Sequence, residues 1–179
     1  RCWQTVSITR GRPLLRFTLI VDNVAVIDRA FSRFGENISD LRPVWDDVAK
    51  EFYRIEDEQF ATEGSHSGNP WKPLSAKYEK WKESKIPAQM ILEWDGTLKH
   101  SLTGPNSKGS IRIDETDGLA LGSSLPYARY HQQGTKKMPR RPPIDLNEGD
   151  KRRLTKAIHR GLVKRNRRTG FESDDNWVE

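Results

Sequence analysis

An apolar stripe at helical spacing near residue 50 is the feature that most constrains the fold. The stripe consists of Val44, Trp45, Val48, Phe52 and Ile55. Because a helix turns once every three to four residues, these side chains share one face, and charged residues fill the opposite face. Pro43 suits the first turn of a helix, and Ser39 or Asp40 can cap it. We therefore expect a long amphipathic helix that forms the main element of the core.

Shorter elements are predicted on both sides of this helix. They are a strand over 14–21, a helix over 24–34 that ends at Gly35, a turn-rich loop over 62–69 and a helix over 76–85 capped by Ser75. Branched residues indicate the strand, apolar spacing indicates the helices, and clustered Gly, Ser and Asn residues indicate the loop. The first half of the chain is therefore mostly helical.

Alternating apolar residues predict a β-hairpin over 111–121 in the second half, with a turn over 115–118 and Gly118 and Gly122 as turn residues. The remaining predicted elements are short helices over 90–102 and 126–133, a basic proline-rich loop over 135–143, and a last helix that Asn147 caps. The predicted fold is α+β. It has a small antiparallel or mixed sheet packed by the long helix, additional short helices and a basic C-terminal helix.

The 179 residues suit one domain with extensions, which we place as an N-terminal arm (1–13), a domain (14–165) and a C-terminal tail (166–179). No run approaches the roughly 18 apolar residues that span a membrane. Cys2 is the one cysteine, which excludes an intrachain disulfide and a thiolate zinc site. We therefore expect that the protein is made in a reducing cytoplasm.

A basic block stands at the end of the chain, in a protein whose net charge is +6. Residues 151–168 contain nine Lys and Arg residues and no acid, whereas the last residues are acidic. The candidate phosphate contacts are Lys151, Arg152, Arg153, Arg160, Lys164 and Arg165. Such a block can bind nucleic acid, or it can be a solvated helix face.

Motifs for catalysis are missing from the sequence. The four histidines lie in separate segments, and the pair Glu63 and His66 falls in the turn-rich loop rather than on a helix face. No nucleophile elbow, phosphate-binding loop or dinucleotide-binding glycine pattern occurs. Adjacent carboxylates on a helix diverge, and the acidic run over 56–58 is predicted to be a solvated helix end. A metal or nuclease site that the fold assembles from several elements stays open, but no motif indicates one, and we expect no enzyme activity and no metal.

A series of short motifs carries more information. In chain order they are Trp71-Lys-Pro-Leu-Ser75, Ile91-Leu92 with Gly96-Thr-Leu98 and Ser101, Tyr127-Ala-Arg-Tyr-His131-Gln-Gln-Gly134, and Pro139-Arg-Arg-Pro142. This ordered series resembles the phage virion morphogenesis family, the tail-completion proteins of Mu-like and related phages, over roughly residues 71–162. Two positions differ from the family pattern: Asp95 precedes Gly96, and Pro143 follows Pro142.

The motifs supply the candidate structural and interface residues. They are Trp71, Pro73, Tyr78, Trp81, Leu98, Tyr127, His131, Gln132, Gly134, Arg140, Arg141 and Pro142. Trp71, Tyr78 and Trp81 are predicted to be core aromatics. His131 is expected to form hydrogen bonds, with Gln132 and Gln133 as amide partners. The stiff loop at 140–142 is predicted either to dock on an acidic patch of a neighbouring subunit or to face DNA in a ring lumen.

Two functions of different class follow. The resemblance implies a structural virion protein at the neck that needs no cofactor. It would assemble with itself as a ring, expected to be a hexamer, at the head-proximal end of the tail. Its partners would be the tail tube or terminator and the head connector, with non-specific contact to packaged DNA and no membrane. The alternative is a DNA-binding protein or nuclease that uses the basic C-terminal helix. Self-assembly or metal-dependent cleavage would separate the two.

Overall fold

The structure, a computed structural model, describes residues 24–88 and 90–167, with side chains from residue 32 onward in the first helix. Its elements are α1 (Val24–Ser39), a 3-10 turn (Arg42–Val44), α2 (Trp45–Ala61), a second 3-10 turn (Ser65–Ser67), α3 (Ala76–Lys85), α4 (Thr97–Thr103), β1 (Ser110–Asp114), β2 (Leu119–Ser123), α5 (Ala128–Gln133) and α6 (Glu148–Arg167). The α+β prediction is confirmed. The predicted arm (1–13), the strand over 14–21 and residues 168–179 lie outside the described residues.

The predicted long helix is α2, and every member of its apolar stripe is buried. The start of α2 differs from the prediction: Pro43 lies not in the first turn of α2 but in a 3-10 turn that precedes it. Leu41 is the N-cap residue of this turn, so neither Ser39 nor Asp40 occupies that position, although the Asp40 carboxylate accepts a hydrogen bond from the Arg42 backbone N–H at 3.1 Å. The preceding helix, α1, does not end at Gly35 but continues to Ser39. A glycine inside a helix costs only about 1 kcal/mol, which neighbouring turns can offset.

Among the described residues, the core has two clusters at opposite ends of α2, and Phe52 and Ile55 are also buried along the helix between them. The first contains Val44, Trp45, Val48 and Ala157, against which Leu154, Ile158 and Leu162 pack from α6. Here α6 lies very close, because a Cβ added at Gly161 would stand 2.5 Å from Val44 Cγ1. The second cluster contains Phe60, Trp71, Leu98 and Leu102. Thus α2 joins a helical half, formed with α1 and α6, to a second half that contains α4.

Helix α6 is fixed at both ends. The predicted Asn147 cap is confirmed: Asn147 Oδ1 accepts from the Asp150 N–H at 2.9 Å, and Asp150 Oδ2 accepts from the Asn147 N–H at 3.1 Å. This reciprocal pair is a capping box. Asp150 also lies 2.8 Å from His66 Nε2. At the other end, Asn37 Nδ2 donates to Asn166 Oδ1 at 2.8 Å, within a helix that ends two residues beyond the predicted domain boundary.

The β-hairpin is antiparallel, with Ser110 opposite Ser123 and Asp114 opposite Leu119. It rests on α4, where Ser101 Oγ donates to Ser123 Oγ at 2.8 Å, and on the start of α2, where Trp45 Nε1 donates to the Glu115 carbonyl at 2.7 Å. Gly118 lies in the turn as predicted, but Gly122 lies within β2 rather than in a turn.

The acidic run over 56–58 is not a solvated helix end. Glu56 is 0% exposed, and among the described residues neither of its carboxyl oxygens has a hydrogen-bond partner. Burial, followed by the nearby carboxylates of Asp150 and Asp145, raises the pKa of Glu56 to about 8. Glu58 accepts a hydrogen bond from Arg153 Nη1 at 2.7 Å, which leaves Asp57 as the exposed member of the run. The reason is helical spacing, since Glu56 falls on the buried face of α2.

Candidate functional site

A groove of about 930 Å³ lies between α3, α4, α5 and the loop over 135–141. We call it the aromatic groove; Tyr78, Trp94, Tyr127, His131, Met138 and Arg141 are among its lining residues. It is large enough for several side chains of a partner, and its floor continues into the second core cluster through Leu98.

Three aromatic side chains, Tyr78, Trp81 and Trp94, form a row, and the first and last of them line the groove. Tyr78 and Trp81 are 44% and 48% exposed, so the prediction that they belong to the core is wrong. Their ring centroids are 5.4 Å apart, and Trp81 in turn stacks on Trp94 at 5.4 Å with an interplanar angle of 18°. Trp94 is itself 45% exposed. Helix α3 has few other apolar residues, so its aromatic side lies at the groove rather than in a core.

Trp71 is a core residue, as predicted. Its ring meets Phe60 edge-on at 5.3 Å, and its Nε1 donates to the Pro142 carbonyl at 2.9 Å. This bond connects the first sequence motif to the last across 71 residues. Pro142 is buried beside it and holds the end of the proline-rich loop in place.

Arg141 does not project toward a neighbouring subunit or DNA. It is 6% exposed, and its guanidinium donates to the carbonyls of Lys72 at 2.6 Å and Pro73 at 2.8 Å. These bonds satisfy two carbonyls at the entry to α3 and close one side of the groove. Arg140 is the exposed member of the pair, with Nε donating to the Gln132 carbonyl at 3.0 Å.

His131 faces the groove without the predicted amide partners. Its ring meets Tyr127 edge-on at 6.2 Å, and within the described residues its buried Nδ1 has no hydrogen-bond partner. The Gln132 side chain instead bonds both backbone polar groups of Ile144, at 2.8 and 3.2 Å, and Gln133 is exposed. Burial and, secondarily, Arg141 lower the pKa of His131, which favours a neutral ring.

Gly134 ends helix α5 and lies against the loop over 135–141. It has φ +75°, and a Cβ there would lie 2.9 Å from the Arg140 backbone nitrogen. Glycine is therefore required both by the left-handed conformation and by the close approach of the loop. The last predicted motifs thus converge with the first on one groove, although they are separated by more than 50 residues in the chain.

Three of the six predicted phosphate contacts on α6 bind other groups of the protein. Arg153 binds Glu51 and Glu58, each at 2.7 Å, and Lys151 pairs with Glu148. Arg165 donates to the carbonyls of Asn37 and Asp40, while Arg152 is exposed. Arg160 and Lys164 line a cleft shared with carboxylates of α2. The sequence could not show this, because the neutralising acids come from a distant helix.

Within residues 24–88 and 90–167, no three His, Cys, Asp or Glu side chains come together as a metal site would require. Nor does any helix in this described part have the length and apolar character needed to cross a membrane.

The motifs around the groove and the α+β fold agree with one class of protein, the structural proteins of phage particles. The chain matches the phage virion morphogenesis family over residues 22–163, and it belongs to that family. It is similar to "Mu-like prophage FluMu G protein 1" of Haemophilus influenzae, with 26% identity over 141 residues that cover 78% of this chain and 91% of the relative. No solved structure matches it. Membership indicates a structural role in virion morphogenesis rather than a catalytic one, and association with the virion.

Proposed function

We propose that the protein is a neck or tail-completion subunit that forms a ring, expected to be a hexamer, at the head-proximal end of the tail. It is made in the host cytoplasm, joins the tail tube or terminator, and offers a docking surface to the head connector. Its mechanism lies in its interfaces, and it has no catalytic step and no cofactor.

The observation that carries this proposal is the exposed aromatic row beside the groove. Trp81 and Trp94 are large stacked rings that are nearly half exposed. Their apolar surface in contact with water is unfavourable, and a partner that covers it would gain binding free energy. Aromatic residues grouped in this way are enriched at protein interfaces and often dominate their energy. Membership of the virion morphogenesis family supports the proposal that this partner is another protein of the phage particle.

Light scattering of the purified protein, alone and with tail tubes, tests the assembly. We expect a closed oligomer, or a monomer that forms a ring on tube ends. Trp81→Ala should weaken this assembly, whereas Ile113→Ala, which removes another exposed apolar side chain (52% exposed) on the hairpin, is the control. A wild-type chain that stays monomeric and ignores tail tubes would contradict the proposal.

Contact with DNA remains a second role for the exposed cations of α6, such as Arg152, Arg160 and Lys164. Because Arg153 and Arg165 of the same helix bind acids or carbonyls, fewer phosphates can be neutralised than the number of its basic residues suggests. We expect weak, sequence-independent affinity with a shallow salt dependence. A steep salt dependence, or metal-dependent cleavage of DNA, would favour the nucleic-acid function instead.

A further inference from the structure

The aromatic groove and the last residues of the sequence are complementary in charge and in apolar character. The loop over 135–143 carries four cations and no acid. Residues 171–179 carry four acids and no cation, with Phe171 and Trp177 near the two ends of that segment. We propose that the aromatic groove binds residues 171–179 of a second copy of this chain, an inference that rests on the proposed ring.

The groove provides apolar contact inside and positive charge at its edge. Tyr78 and Trp94 can stack with incoming aromatic side chains, which suits Phe171 and Trp177. Lys137 lines the groove, and Lys136 and Arg140 are exposed beside it. An acidic segment is attracted there because opposite charges at an interface steer association and fix its orientation.

The acids within the groove are already engaged and oppose this attraction little. The Glu93 carboxylate lies 3.3 Å from Lys99 Nζ. The Asp95 carboxylate accepts a hydrogen bond from the Thr97 N–H at 3.0 Å, which holds it at the start of α4. The cations of the loop over 135–140 therefore dominate the outer edge of the groove.

Chain reach favours a second copy over the same copy. The segment that leads into α6 lies beside the groove, because Gln132, next to the groove residue His131, donates through Nε2 to the Ile144 carbonyl at 2.8 Å. Helix α6 has 20 residues, so its last turn is about 30 Å away. Phe171 is four residues beyond Arg167, and four residues span at most roughly 14 Å. Phe171 therefore falls short of the groove of its own chain, so Phe171 and Trp177 can occupy one groove together only in a second copy.

This arrangement makes the contact heterologous. The groove lies near one end of α6, and residues 171–179 follow the other end. Each copy therefore contributes its C-terminal segment to one neighbour and its groove to another. Contacts of this kind propagate from copy to copy and close into a ring when the rotation permits. The pairing therefore supplies the directional contact that the proposed ring needs.

A complementation experiment with the full chain tests the inference. One variant, Phe171→Ala with Trp177→Ala, keeps the groove and loses the segment; the other, Tyr78→Ala with Trp94→Ala, keeps the segment and loses the groove. Each alone should be monomeric by light scattering, and their mixture should form a species of two chains and nothing larger. Retention of the wild-type oligomer by either variant, or a mixture that stays monomeric, would overturn the proposal.

The groove variant could fail to bind because it misfolds, so a second experiment reverses charges in a protein whose groove is intact. A labelled peptide of residues 168–179 should bind the segment variant, and the affinity should fall with added salt. Lys136→Glu with Lys137→Glu, added to that variant at exposed positions, should weaken binding about tenfold. A peptide carrying Asp174→Lys and Asp175→Lys should restore binding. Equal binding by all pairs, or none, would refute the inference.

The same variants separate this inference from the proposed function. If the segment variant still forms rings on tail tubes and the peptide does not bind, the neck function stands and another partner fills the groove. If the peptide binds the groove but the wild-type chain ignores tail tubes, the neck function fails while the contact between copies stands.

Discussion

Replacing Glu56 with glutamine should change how the stability of this protein depends on pH. Glu56 is 0% exposed in the middle of α2, and no described residue forms a hydrogen bond with its carboxyl oxygens. Its pKa is raised from 4.5 to about 8, by burial and then by Asp150 and Asp145. Glutamine has nearly the same shape and carries no charge, so it resembles the protonated acid.

The sign follows from proton binding in the two states. Between the unfolded pKa of 4.5 and the folded pKa of about 8, the folded protein holds a proton on Glu56 that the unfolded chain releases. The contribution of this group to stability is therefore present at pH 4.5 and is lost as the pH rises. One proton corresponds to about 1.4 kcal/mol per pH unit, so the loss by pH 8 is on the order of 4 kcal/mol.

Urea unfolding at pH 5 and pH 8 measures the effect. We expect the stability of Glu56→Gln, relative to the wild type, to improve by several kcal/mol between these two values. Asp57→Asn is the matched control, since it removes the same charge from the exposed neighbouring residue. The lowered pKa of His131 makes stability rise with pH, but this effect is common to all three proteins and cancels in the comparison. Parallel pH profiles for Glu56→Gln and the wild type would show that Glu56 is ionised in the folded protein.

Two further substitutions test how α6 packs against the 3-10 turn over Arg42–Val44 and against α2. Gly161→Ala should destabilise the protein by about 1–3 kcal/mol, because its Cβ would stand 2.5 Å from Val44 Cγ1. Gly35→Ala is the control, since it has open space among the described residues and should stabilise α1; equal melting temperatures for the two would exclude close packing at Gly161. Arg153→Met should cost about 1–3 kcal/mol in urea unfolding, because Glu58 loses its hydrogen bonds to Arg153, and Glu51 keeps only Arg54 as a partner. Arg152→Met, at an exposed position, should have little effect; an equal loss would argue against the ion pairs.

The elements that the sequence predicted correctly are those that depend on local signals. The stripe of α2, the Ser75 cap, the hairpin and the Asn147 cap each follow from spacing or from a side chain that bonds its own backbone nearby. The position of Gly35 misled because a glycine ends a helix only where the chain needs a left-handed turn, and α1 needs none there.

The groove was harder to predict because its geometry depends on which face of each element finds a partner. The spacing of Tyr78 and Trp81 places them on one side of α3, but spacing alone cannot say whether that side faces a core or solvent. Likewise, a charged loop reads as exposed, whereas the guanidinium of Arg141 finds two carbonyls near residue 72. Glu56 did carry a signal, since it stands four residues from both Phe52 and Phe60.

The division of the core at the two ends of α2 has a consequence for local opening. Between the clusters, the helix faces α6 through charged groups, with Arg153 bonded to Glu51 and Glu58. Such a polar layer contributes less to cooperativity than continuous apolar packing. Amide hydrogens of α1 and of the C-terminal half of α6 should therefore exchange with solvent through local unfolding, while α4 and the floor of the groove stay folded. The aromatic groove would then keep its shape, whereas the C-terminal end of α6, which precedes residues 168–179, would be able to change its orientation.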